Sequence, residues 1–412
     1  MSKPPATQEI VFVDNPSLLA AAVEAISEAS IVGFDTEFVS DATYEPRLCL
    51  LQVATGDRIF VIDPLSRLNL REFWLALTAP GREVVAFAAR HELLFCLRDA
   101  GRLPQTVFDP QIAAGLVGFG YPLSHANFVR RVFGIRLAGS EAYTDWGRRP
   151  LASQQLKYAA DDVRYLLAGR RELLDRAGSM GRVEWLRSEF EGLLDRVSQA
   201  GQQERWWKTP GLSRMDGRIL AVLRELWRWR DNRARTADLP PRRVLGDDLM
   251  VDIARRSPRN VGNLFALRGM DRPNLRKAGP EIVAAVQAGL DTPEEELPAL
   301  VELVRHDDPP QVALLGQLLA ILANSLATEY QVAGSMLATA AELQEFIRWR
   351  LGLSDREPQF TTGWRGEILG QPLAELLEGK RFVHVVDANS PNPLRITRFE
   401  GVQRPYRSPP VP

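Results

Sequence analysis

The sequence predicts an α/β domain built on a mixed β-sheet, followed by two all-helical domains. Three observations support this fold class. Short β-branched or apolar runs alternate with amphipathic stretches in the first part of the chain, as expected for a sheet covered by helices. Two of those runs, Leu48–Ala54 and Ile59–Ile62, are separated only by Thr55–Arg58, and so short a connection predicts an antiparallel hairpin. Beyond the polar stretch Ser198–Gln203 the pattern is almost entirely helical.

The elements of the first domain follow from local sequence. Runs rich in Val, Ile, Leu and Phe predict strands at Ile10–Val13, Ile31–Phe34, Leu48–Ala54, Ile59–Ile62 and Val84–Phe87. After Glu92 no further strand pattern is found. Apolar residues at helical spacing, separated by prolines, predict helices at Glu92–Ala100, Pro110–Val117, Ser124–Phe133 and Ser153–Leu174.

We expect domains at residues 1–197, 205–291 and 305–388. The second begins after Ser198–Gln203 and ends at the acidic, proline-flanked linker Asp291–Pro298. Its helices are predicted at Arg214–Arg233, Asp247–Arg255, Asn260–Leu267 and Asn274–Leu290, which make a bundle of about the smallest size that folds alone. The third is helical from Gln311, with a break at Ser354–Thr362, and residues 389–412, rich in Pro and Arg, are expected to form a flexible tail.

The composition is that of an ordinary globular protein. The chain has 412 residues, 45% of them hydrophobic and 25% charged, and a formal net charge of −1. A nucleic-acid partner would therefore have to bind a local basic patch. The N-terminus has no apolar signal region and no stretch reaches membrane-spanning length, so we expect a soluble, cytoplasmic protein. Cys49 and Cys96 lie in apolar strings, which predicts buried free thiols.

Two pairs of polar side chains carry the strongest functional signal. Asp35 and Glu37 follow the strand that begins at Ile31, and alternate residues of a strand point the same way. Tyr158 and Asp162 stand four apart in a predicted helix and so share one face. Neighbouring carboxylates repel each other unless a cation neutralises them, and hard oxygen ligands suit Mg²⁺ or Mn²⁺. This set predicts a metal site that hydrolyses phosphodiesters.

These residues belong to three separated motifs that resemble the DEDD superfamily of 3′-to-5′ exonucleases, in its tyrosine branch, and within it the ribonuclease D family. In chain order the motifs are Phe34–Phe38, Phe108–Ala113, and Thr144–Leu151 leading into Tyr158–Val163. The resemblance covers about the first 190 residues and implies a ribonuclease H-like fold for that domain.

The resemblance continues through the helical part of the chain. Arg214–Leu290 is similar to the HRDC domain, through Leu226–Arg230 and Ala234–Pro240. Gln311–Val386 looks like a second, more divergent HRDC-type unit, with Gly363–Arg365 at its centre. The resemblance therefore implies an exonuclease domain followed by two HRDC-like domains.

The resemblance also implies the roles of the site residues. Asp35, Glu37 and Asp162 would hold metal beside the scissile phosphate, and Tyr158 would orient the attacking water. Two divalent ions, Mg²⁺ or Mn²⁺, would stabilise both the attacking and the leaving oxygen. A phenol can orient water by hydrogen bonding, but it is a poor general base unless its pKa is shifted.

The fourth acidic ligand of the family departs from its pattern here. In the family, an aspartate stands seventeen residues before the aspartate of the second motif. The second-motif aspartate is Asp109 in this chain, and the position seventeen residues before it is occupied by Glu92. Glutamate keeps the charge and moves the carboxylate by about 1.3–1.5 Å. We therefore place Glu92 among the metal ligands and catalytic residues, with an altered metal preference expected. Asp109 itself is interpreted as a helix cap.

Five further residues are candidates for substrate binding. Phe38, Trp146 and Arg149 lie near the predicted site in sequence, although Trp146 is equally well explained as a core anchor and Arg149 as a surface arginine. Trp227 and Arg230 belong to a helix in which aromatic and arginine residues interleave, which suits base stacking and phosphate binding. Trp227 and Trp229 are two positions apart and cannot face the same way on a helix, so at least one of them is expected in the core.

The expected function is metal-dependent 3′-to-5′ exoribonuclease activity on RNA with a single-stranded 3′ end, such as a tRNA precursor. We expect a monomer whose HRDC-like domains hold the body of the RNA. One alternative is a DNA exonuclease, because no residue reveals a contact with the 2′-hydroxyl. Another is an RNA-binding scaffold whose site decayed through Glu92, although the other acidic residues and the tyrosine are retained.

Overall fold

The protein is described here from a computed structural model, which covers residues 8–137, 144–200, 204–212, 215–298 and 308–399. These residues form three units. We call the residues up to 200 the first unit, residues 204–298 the second unit and residues 308–399 the third unit.

A six-stranded mixed sheet lies at the centre of the first unit. Its strands are β1 (Glu9–Val13), β2 (Ile31–Val39), β3 (Arg47–Ala54), β4 (Arg58–Ile62), β5 (Glu83–Val85) and β6 (Thr106–Phe108). Their spatial order is β1-β4-β3-β2-β5-β6. β3 is antiparallel to β2 and β4, whereas β1 with β4, β2 with β5, and β5 with β6 are parallel. The predicted mixed sheet and its hairpin are confirmed.

Helices cover both faces of this sheet. They are α1 (Pro16–Glu28), α2 (Arg71–Leu77), α3 (Arg90–Phe95), α4 (Pro110–Leu116), α5 (His125–Phe133), α6 (Ser153–Arg164), α7 (Leu166–Ser179) and α8 (Val183–Ala200). α1 and α2 pack on one face, against Val32 and Phe34. α4 to α8 pack on the other face, against Leu50 and Val85. Both cysteines are buried and free, as predicted.

The second unit has a hydrophobic core of its own, in which α9 packs against α14. Its helices are α9 (Gly217–Ala237), α10 (Pro241–Val244), α11 (Asp247–Arg256), α12 (Val261–Phe265), α13 (Pro273–Lys277) and α14 (Gly279–Leu290). At the crossing of α9 and α14, a Cβ on Gly289 would lie 2.3 Å from the Cα of Val222. Only glycine permits this close approach of the two backbones.

The third unit shares one continuous core with the first. Its elements are α15 (Pro310–Glu329), α16 (Gly334–Leu337), α17 (Ala340–Arg350), α18 (Gly363–Arg365), α19 (Gln371–Leu377), β7 (Arg381–Val385) and β8 (Leu394–Arg398). Leu319 and Phe346 belong to the same buried cluster as Leu116 and Phe190 of the first unit. The third unit is therefore packed as part of the catalytic body.

Polar contacts reinforce this junction. The carboxylate of Glu189 accepts hydrogen bonds from Trp364 Nε1 at 3.0 Å and from Arg365 Nη1 at 2.6 Å. The indole rings of Trp185 and Trp364 stack with centroids 4.8 Å apart. The guanidinium of Arg182 donates to the carbonyl of Tyr330. The contacts join α7–α8 to the α15–α18 region.

Several element predictions were wrong in detail. A strand, β6, does follow Glu92. The sequence did not reveal it because its three residues are too few to show a pattern. The predicted helix Ser153–Leu174 is two helices, which meet at Tyr165. The third unit is not all-helical, since β8 pairs with β7. The expected flexible tail is therefore wrong for Leu394–Arg398, whereas residues 400–412 lie outside the described ranges, as do residues 201–203 and 305–307 of the predicted boundaries.

The prediction that no stretch reaches membrane-spanning length is also wrong. α15 has 20 residues, a mean hydropathy of 1.5 and enough apolar character to meet that criterion. Its inner face, including Leu319 and Leu322, is buried in the core shared with the first unit. Its outer face exposes Leu314 and Ile321. Within the described ranges α15 is the one helix of this kind, and 39% of its apolar window is buried.

Candidate active site

Strand β2 directs two carboxylates towards the helices on one face of the sheet. Gly33, Asp35 and Glu37 alternate along the strand and share a face. A Cβ on Gly33 would lie 3.3 Å from the Cβ of Leu166, so α7 approaches the strand closely at this point. The pairing with β3 shifts register between Glu37 and Phe38, which marks a bulge just after the second carboxylate.

Helix α6 supplies the other half of the site. It begins with the Gln155 side chain accepting a hydrogen bond from the backbone N–H of Ala152 at 3.0 Å. The helix packs against β2, β3 and β4. The ring of Tyr158 lies 6.1 Å from that of Trp146. Because Tyr158 and Asp162 are four residues apart within α6, they share the helical face that was predicted.

The strand and the helix bring three carboxylates together. One oxygen from each of Asp35, Glu37 and Asp162 lies within 4.8 Å of the others, and all three side chains are partly buried. Among the residues that the structure describes, this is the one group of three or more acidic, histidine or cysteine side chains with such spacing. Its all-oxygen donors fit a hard divalent cation such as Mg²⁺ or Mn²⁺.

The electrostatics of the group also fit a cation. Burial, reinforced by the charges of Asp162 and Glu92, raises the pKa of Asp35 well above its usual value. The same causes raise the pKa of Glu37 to about 8. Burial raises the pKa of Asp162, although a hydrogen bond from His125 opposes the shift. Without a cation these carboxylates repel one another, and a bound cation would remove that cost.

Glu92 lies next to this group without being part of it. It is buried on α3, and its Oε1 accepts a hydrogen bond from the hydroxyl of Thr36 at 2.9 Å. Burial raises its pKa to about 7. Its charge contributes to the raised pKa values of Asp35 and Glu37.

Asp109 caps a helix, as predicted, and it also organises the loop that leads to Glu92. Its Oδ1 accepts from the backbone N–H groups of Gln111 at 2.8 Å and Ala88 at 3.0 Å, and its Oδ2 accepts from Ala89 at 3.0 Å. Ala88 has a positive φ of 54°. One buried carboxylate thus fixes the starts of both α3 and α4.

His125 is a site residue that the sequence did not reveal. Its Nδ1 lies 3.2 Å from Oδ1 of Asp162. The sequence predicted the helix that begins beside it, but no motif or spacing connects this histidine with Asp162. Only the packing of α5 beside α6 and α7 brings the two side chains together.

The three candidates for substrate binding near the site have different outcomes. Phe38 is partly buried at the end of β2, with its ring 5.4 Å from that of Phe95, and it stays a candidate. Trp146 is only 2% exposed, so it is a core anchor. Arg149 is also wrong as a substrate contact, because its guanidinium is held by both carboxylate oxygens of Asp63 at 2.7 Å.

The two candidates in the second unit differ in exposure. Arg230 is buried and donates to Asp247 at 2.6 Å and to the carbonyl of Leu245 at 3.1 Å. Trp227 is partly buried against the core of the unit. The assignment of Arg230 to RNA binding is therefore wrong, because an interleaved aromatic and arginine pattern does not show which side chains face solvent, whereas the partly exposed Trp227 stays a candidate.

Comparison with known proteins agrees with this geometry. Residues 10–176 match the family model for 3′-5′ exonucleases, and residues 219–286 match that of the HRDC domain. The chain is 32% identical to ribonuclease D of Gluconacetobacter diazotrophicus over 379 residues, which cover 91% of this chain and 94% of the relative. It is 31% identical to ribonuclease D of Bartonella henselae over 366 residues, 88% of each chain.

The fold leads to the same family. The crystal structure of Escherichia coli RNase D is similar with a TM-score of 0.77 and 28% sequence identity, and the match covers 90% of this chain and 99% of that one. The present protein has ribonuclease D enzymes as sequence relatives, and it has a mixed-sheet exonuclease fold with converging carboxylates. These features place it together with these enzymes. The chain belongs to the ribonuclease D family and is a metal-dependent 3′-to-5′ exoribonuclease.

Proposed function

We propose that this exoribonuclease removes nucleotides one at a time from single-stranded 3′ ends of structured RNAs, with tRNA precursors as the main class. The observation that carries the proposal is the convergence of Asp35, Glu37 and Asp162 within 4.8 Å. The E. coli relative is described as an exoribonuclease involved in structured RNA processing, which supports a structured substrate.

The acidic side chains would hold two divalent ions, Mg²⁺ or Mn²⁺. Asp35, Glu37 and Asp162 would bind them directly, and we assign Glu92 to the second ion because its charge acts on both residues of β2. The bound ions would stabilise charge on the attacking and leaving oxygens and favour ionisation of the attacking water. Thr36 holds Glu92 against β2 through its hydroxyl.

Tyr158 and Phe38 would position the reactants. A phenol with a pKa near 10 donates a hydrogen bond but is a poor base, so Tyr158 would orient the attacking water without removing its proton. Phe38 follows Glu37 at the end of β2, and its partly exposed ring could stack on the last base of the RNA. Its neighbours His91 and Phe95 hold that ring in place, with centroids 5.1 and 5.4 Å away.

Exposed arginines of the second unit would bind the body of the RNA. Arg242, Arg268 and Arg272 line a cleft of about 420 Å³ beside the start of α11. All three side chains are exposed, unlike that of Arg230, and Arg242 also donates to Asp247 at 3.0 Å. Phosphate contacts of this kind position a nucleic acid without reading its sequence. A local arginine cluster would also reconcile RNA binding with a net charge of −1.

A comparison of three substrates tests the proposal. A tRNA precursor with a 3′ trailer, the same RNA with a base-paired 3′ end, and a DNA copy of the trailer would be incubated with Mg²⁺ or Mn²⁺. We expect nucleoside monophosphates to be released stepwise from the trailer until the stem is reached, and Asp35→Asn to be inactive. Faster hydrolysis of the DNA, or equal hydrolysis of the paired end, would contradict the proposal.

We further propose that the enzyme acts as a cytoplasmic monomer. Burial of the inner face of α15 in the shared core supports a location away from the membrane, because insertion would require that core to open. Light scattering should give the mass of one chain, and cell fractionation should leave the protein in the supernatant after membranes are removed. A dimer mass or a membrane-bound fraction would refute the corresponding statement.

A further inference from the structure

One carboxylate of the site has a dedicated partner that lies outside the acidic group. Nδ1 of His125 is 3.2 Å from Oδ1 of Asp162, and both side chains are largely shielded, with 15% and 13% of their surfaces exposed. In a shielded place a hydrogen bond of this length is stronger than at the surface. Oδ1 of Asp162 therefore has a nitrogen donor of His125 within hydrogen-bond distance.

The imidazole of His125 is itself fixed in position. His125 is the first residue of α5, directly after the cap residue Ser124, whose hydroxyl accepts from the N–H of Asn127 at 3.3 Å. The ring meets Phe87 edge-on with centroids 5.4 Å apart and lies 6.3 Å from the ring of Phe128. A donor confined in this way can set the direction of the group that it contacts.

The surroundings of the other ring nitrogen identify the donor. Nε2 of His125 is buried and has no hydrogen-bond partner among the described residues. Asp162 in its ionised form offers only acceptors, so the proton between the two residues belongs on Nδ1. The ring then donates from Nδ1 to Asp162.

We propose that His125 is a positioning residue, which orients Asp162 for divalent-cation binding by donating from Nδ1. The inference deepens the proposed function, since it rests on the role of Asp162 as a ligand. A metal ligand is commonly oriented by a hydrogen bond from a neighbouring side chain, and loss of such a partner costs about 10–100-fold in metal affinity or activity. His125 supplies that neighbour here.

Three variants separate the donor from the shape of the ring. In His125→Asn the amide nitrogen can take the place of Nδ1, in His125→Gln it lies farther out near Nε2, and His125→Phe fills the space without a donor. Mn²⁺ binding to the full chain without RNA would be measured by calorimetry at one fixed pH. Turnover of a short oligoribonucleotide would be measured alongside it.

We expect His125→Phe and His125→Gln to weaken Mn²⁺ binding and lower kcat, each by about tenfold or more, with little change in KM. His125→Asn should stay within about threefold of the native chain, as should the control His384→Phe, which makes the same ring substitution on the distant strand β7. Thermal unfolding would show whether each variant folds. If either His125→Phe or His125→Gln does not fold, the other one is compared with His125→Asn, and that comparison decides the question.

The outcomes also separate this inference from the proposed function. If Asp162→Asn loses Mn²⁺ binding while His125→Phe and His125→Gln bind like the native chain, the positioning role is wrong and the metal site stands. If Asp162→Asn itself binds Mn²⁺ normally and hydrolyses RNA, the proposed function is wrong.

Discussion

Glu92 stands where the resemblance to the family predicts an aspartate, and its surroundings explain how a glutamate side chain is accommodated. The carboxylate is buried and accepts a hydrogen bond from Thr36, which lies between the two acidic residues of β2. The longer side chain thus places its carboxylate where it accepts a hydrogen bond from Thr36 of β2. The charge is retained beside Asp35 and Glu37.

Glu92→Gln is expected to lower activity by about 10–100-fold, because it keeps the size and the acceptor for Thr36 but removes the charge. Thr36→Val is the matched control: it keeps the carboxylate and removes only the donor, so we expect a smaller loss. Steady-state kinetics with Mg²⁺ and with Mn²⁺ would measure both. Full activity of Glu92→Gln with both metals would show that the charge is not used.

Asp35→Asn should abolish activity and at the same time stabilise the metal-free protein. Its carboxylate is the one on which burial and three neighbouring acidic groups act together. Removing the charge relieves repulsion that only a cation otherwise relieves. We expect a higher Tm than that of the native chain in a chelator and a smaller rise in Tm when Mn²⁺ is added. A lower Tm in the chelator would contradict this account.

The raised pKa values predict a pH dependence of stability. Glu37 has a pKa of about 8 when folded against an ordinary value of 4.5, so the folded state binds more protons in that window. The stability of the metal-free protein should therefore be highest below about pH 4.5, as far as this group is concerned, and fall as the pH rises through 8.

A divalent cation binds the ionised form, so the stabilisation that it supplies should grow over the same range. Thermal unfolding with a chelator and with Mn²⁺, at pH 6 and pH 8, tests this expectation. The rise in Tm on adding Mn²⁺ should be larger at pH 8. An equal rise at both values would mean that these carboxylates are already ionised at pH 6.

At the residue scale, local spacing identified Asp35, Glu37, Tyr158 and Asp162 because strand and helix periods fix which side chains share a face. It misjudged Trp146, Arg149 and Arg230. Aromatic and arginine side chains serve equally as core anchors and as RNA contacts, and the sequence shows their chemistry without their exposure.

At the scale of elements, Asp109 connects two helices and the position of Glu92. It is buried and accepts three backbone hydrogen bonds, one from α4 and two from the turn before α3. The capping role was predicted from the sequence because Pro110 follows it directly. The contacts with Ala88 and Ala89 were not, since they depend on how β5 and β6 lie side by side.

Substitutions of Asp109 should destabilise the protein in a defined order. Asp109→Asn keeps the Oδ1 acceptor and leaves one buried N–H without a partner, which costs about 1–3 kcal/mol. Asp109→Ala leaves three N–H groups without that acceptor and should cost about 3 kcal/mol or more. Urea unfolding would measure both. Equal losses for the two variants would show that the cap alone matters.

Most helices were predictable from caps and apolar spacing, and most strands from β-branched runs. The exceptions have physical causes. β6 contains three residues, so its strand character comes from pairing with β5. The break between α6 and α7 falls at Tyr165, where no proline or glycine marks it in the sequence. Both helices pack on the sheet, α6 against β2, β3 and β4 and α7 against β2 and β5.

At the scale of the whole molecule, the two helical units differ in how they belong to the enzyme. The second unit encloses its own core, whereas the third shares a core with the first. The unit that contains the match to the HRDC model thus has its own core, and the third unit completes the catalytic body.

Fragments should show this difference. Residues 204–298 alone are expected to be helical and to unfold cooperatively, because their core is complete. A chain ending at residue 298 should aggregate or unfold at a much lower temperature, because it uncovers Trp185 and removes both partners of Glu189. Circular dichroism during heating would compare them. A stable 1–298 fragment would contradict the shared core.

The second unit meets the first at Tyr44, in the loop that follows β2. The Tyr44 hydroxyl donates to Asp231 at 2.8 Å and accepts from Arg235 at 3.2 Å, and its backbone N–H donates to Asp238 at 3.1 Å. The guanidinium of Arg235 also lies over the ring, 5.4 Å from its centroid. The second unit is thereby joined to the loop that follows β2.

Tyr44→Phe removes the hydroxyl from this contact and should affect long substrates selectively. We expect KM for a tRNA precursor to rise severalfold, while turnover of a short oligoribonucleotide, which reaches only the acidic site, stays unchanged. Kinetics on both substrates provide the test, with the short one as internal control. A similar loss on both would mean that the substitution disturbs β2 itself.

The sequence by itself determined the α/β class, the order of the three units and the three carboxylates that converge in the site, because periodicity encodes the direction of side chains within one element. Tertiary structure alone decided the pairing of His125 with Asp162, the contact of Glu92 with Thr36, the burial of Trp146 and Arg230, and the fusion of the third unit with the catalytic body. These features depend on distances between elements distant in sequence, which packing sets and local pattern does not record.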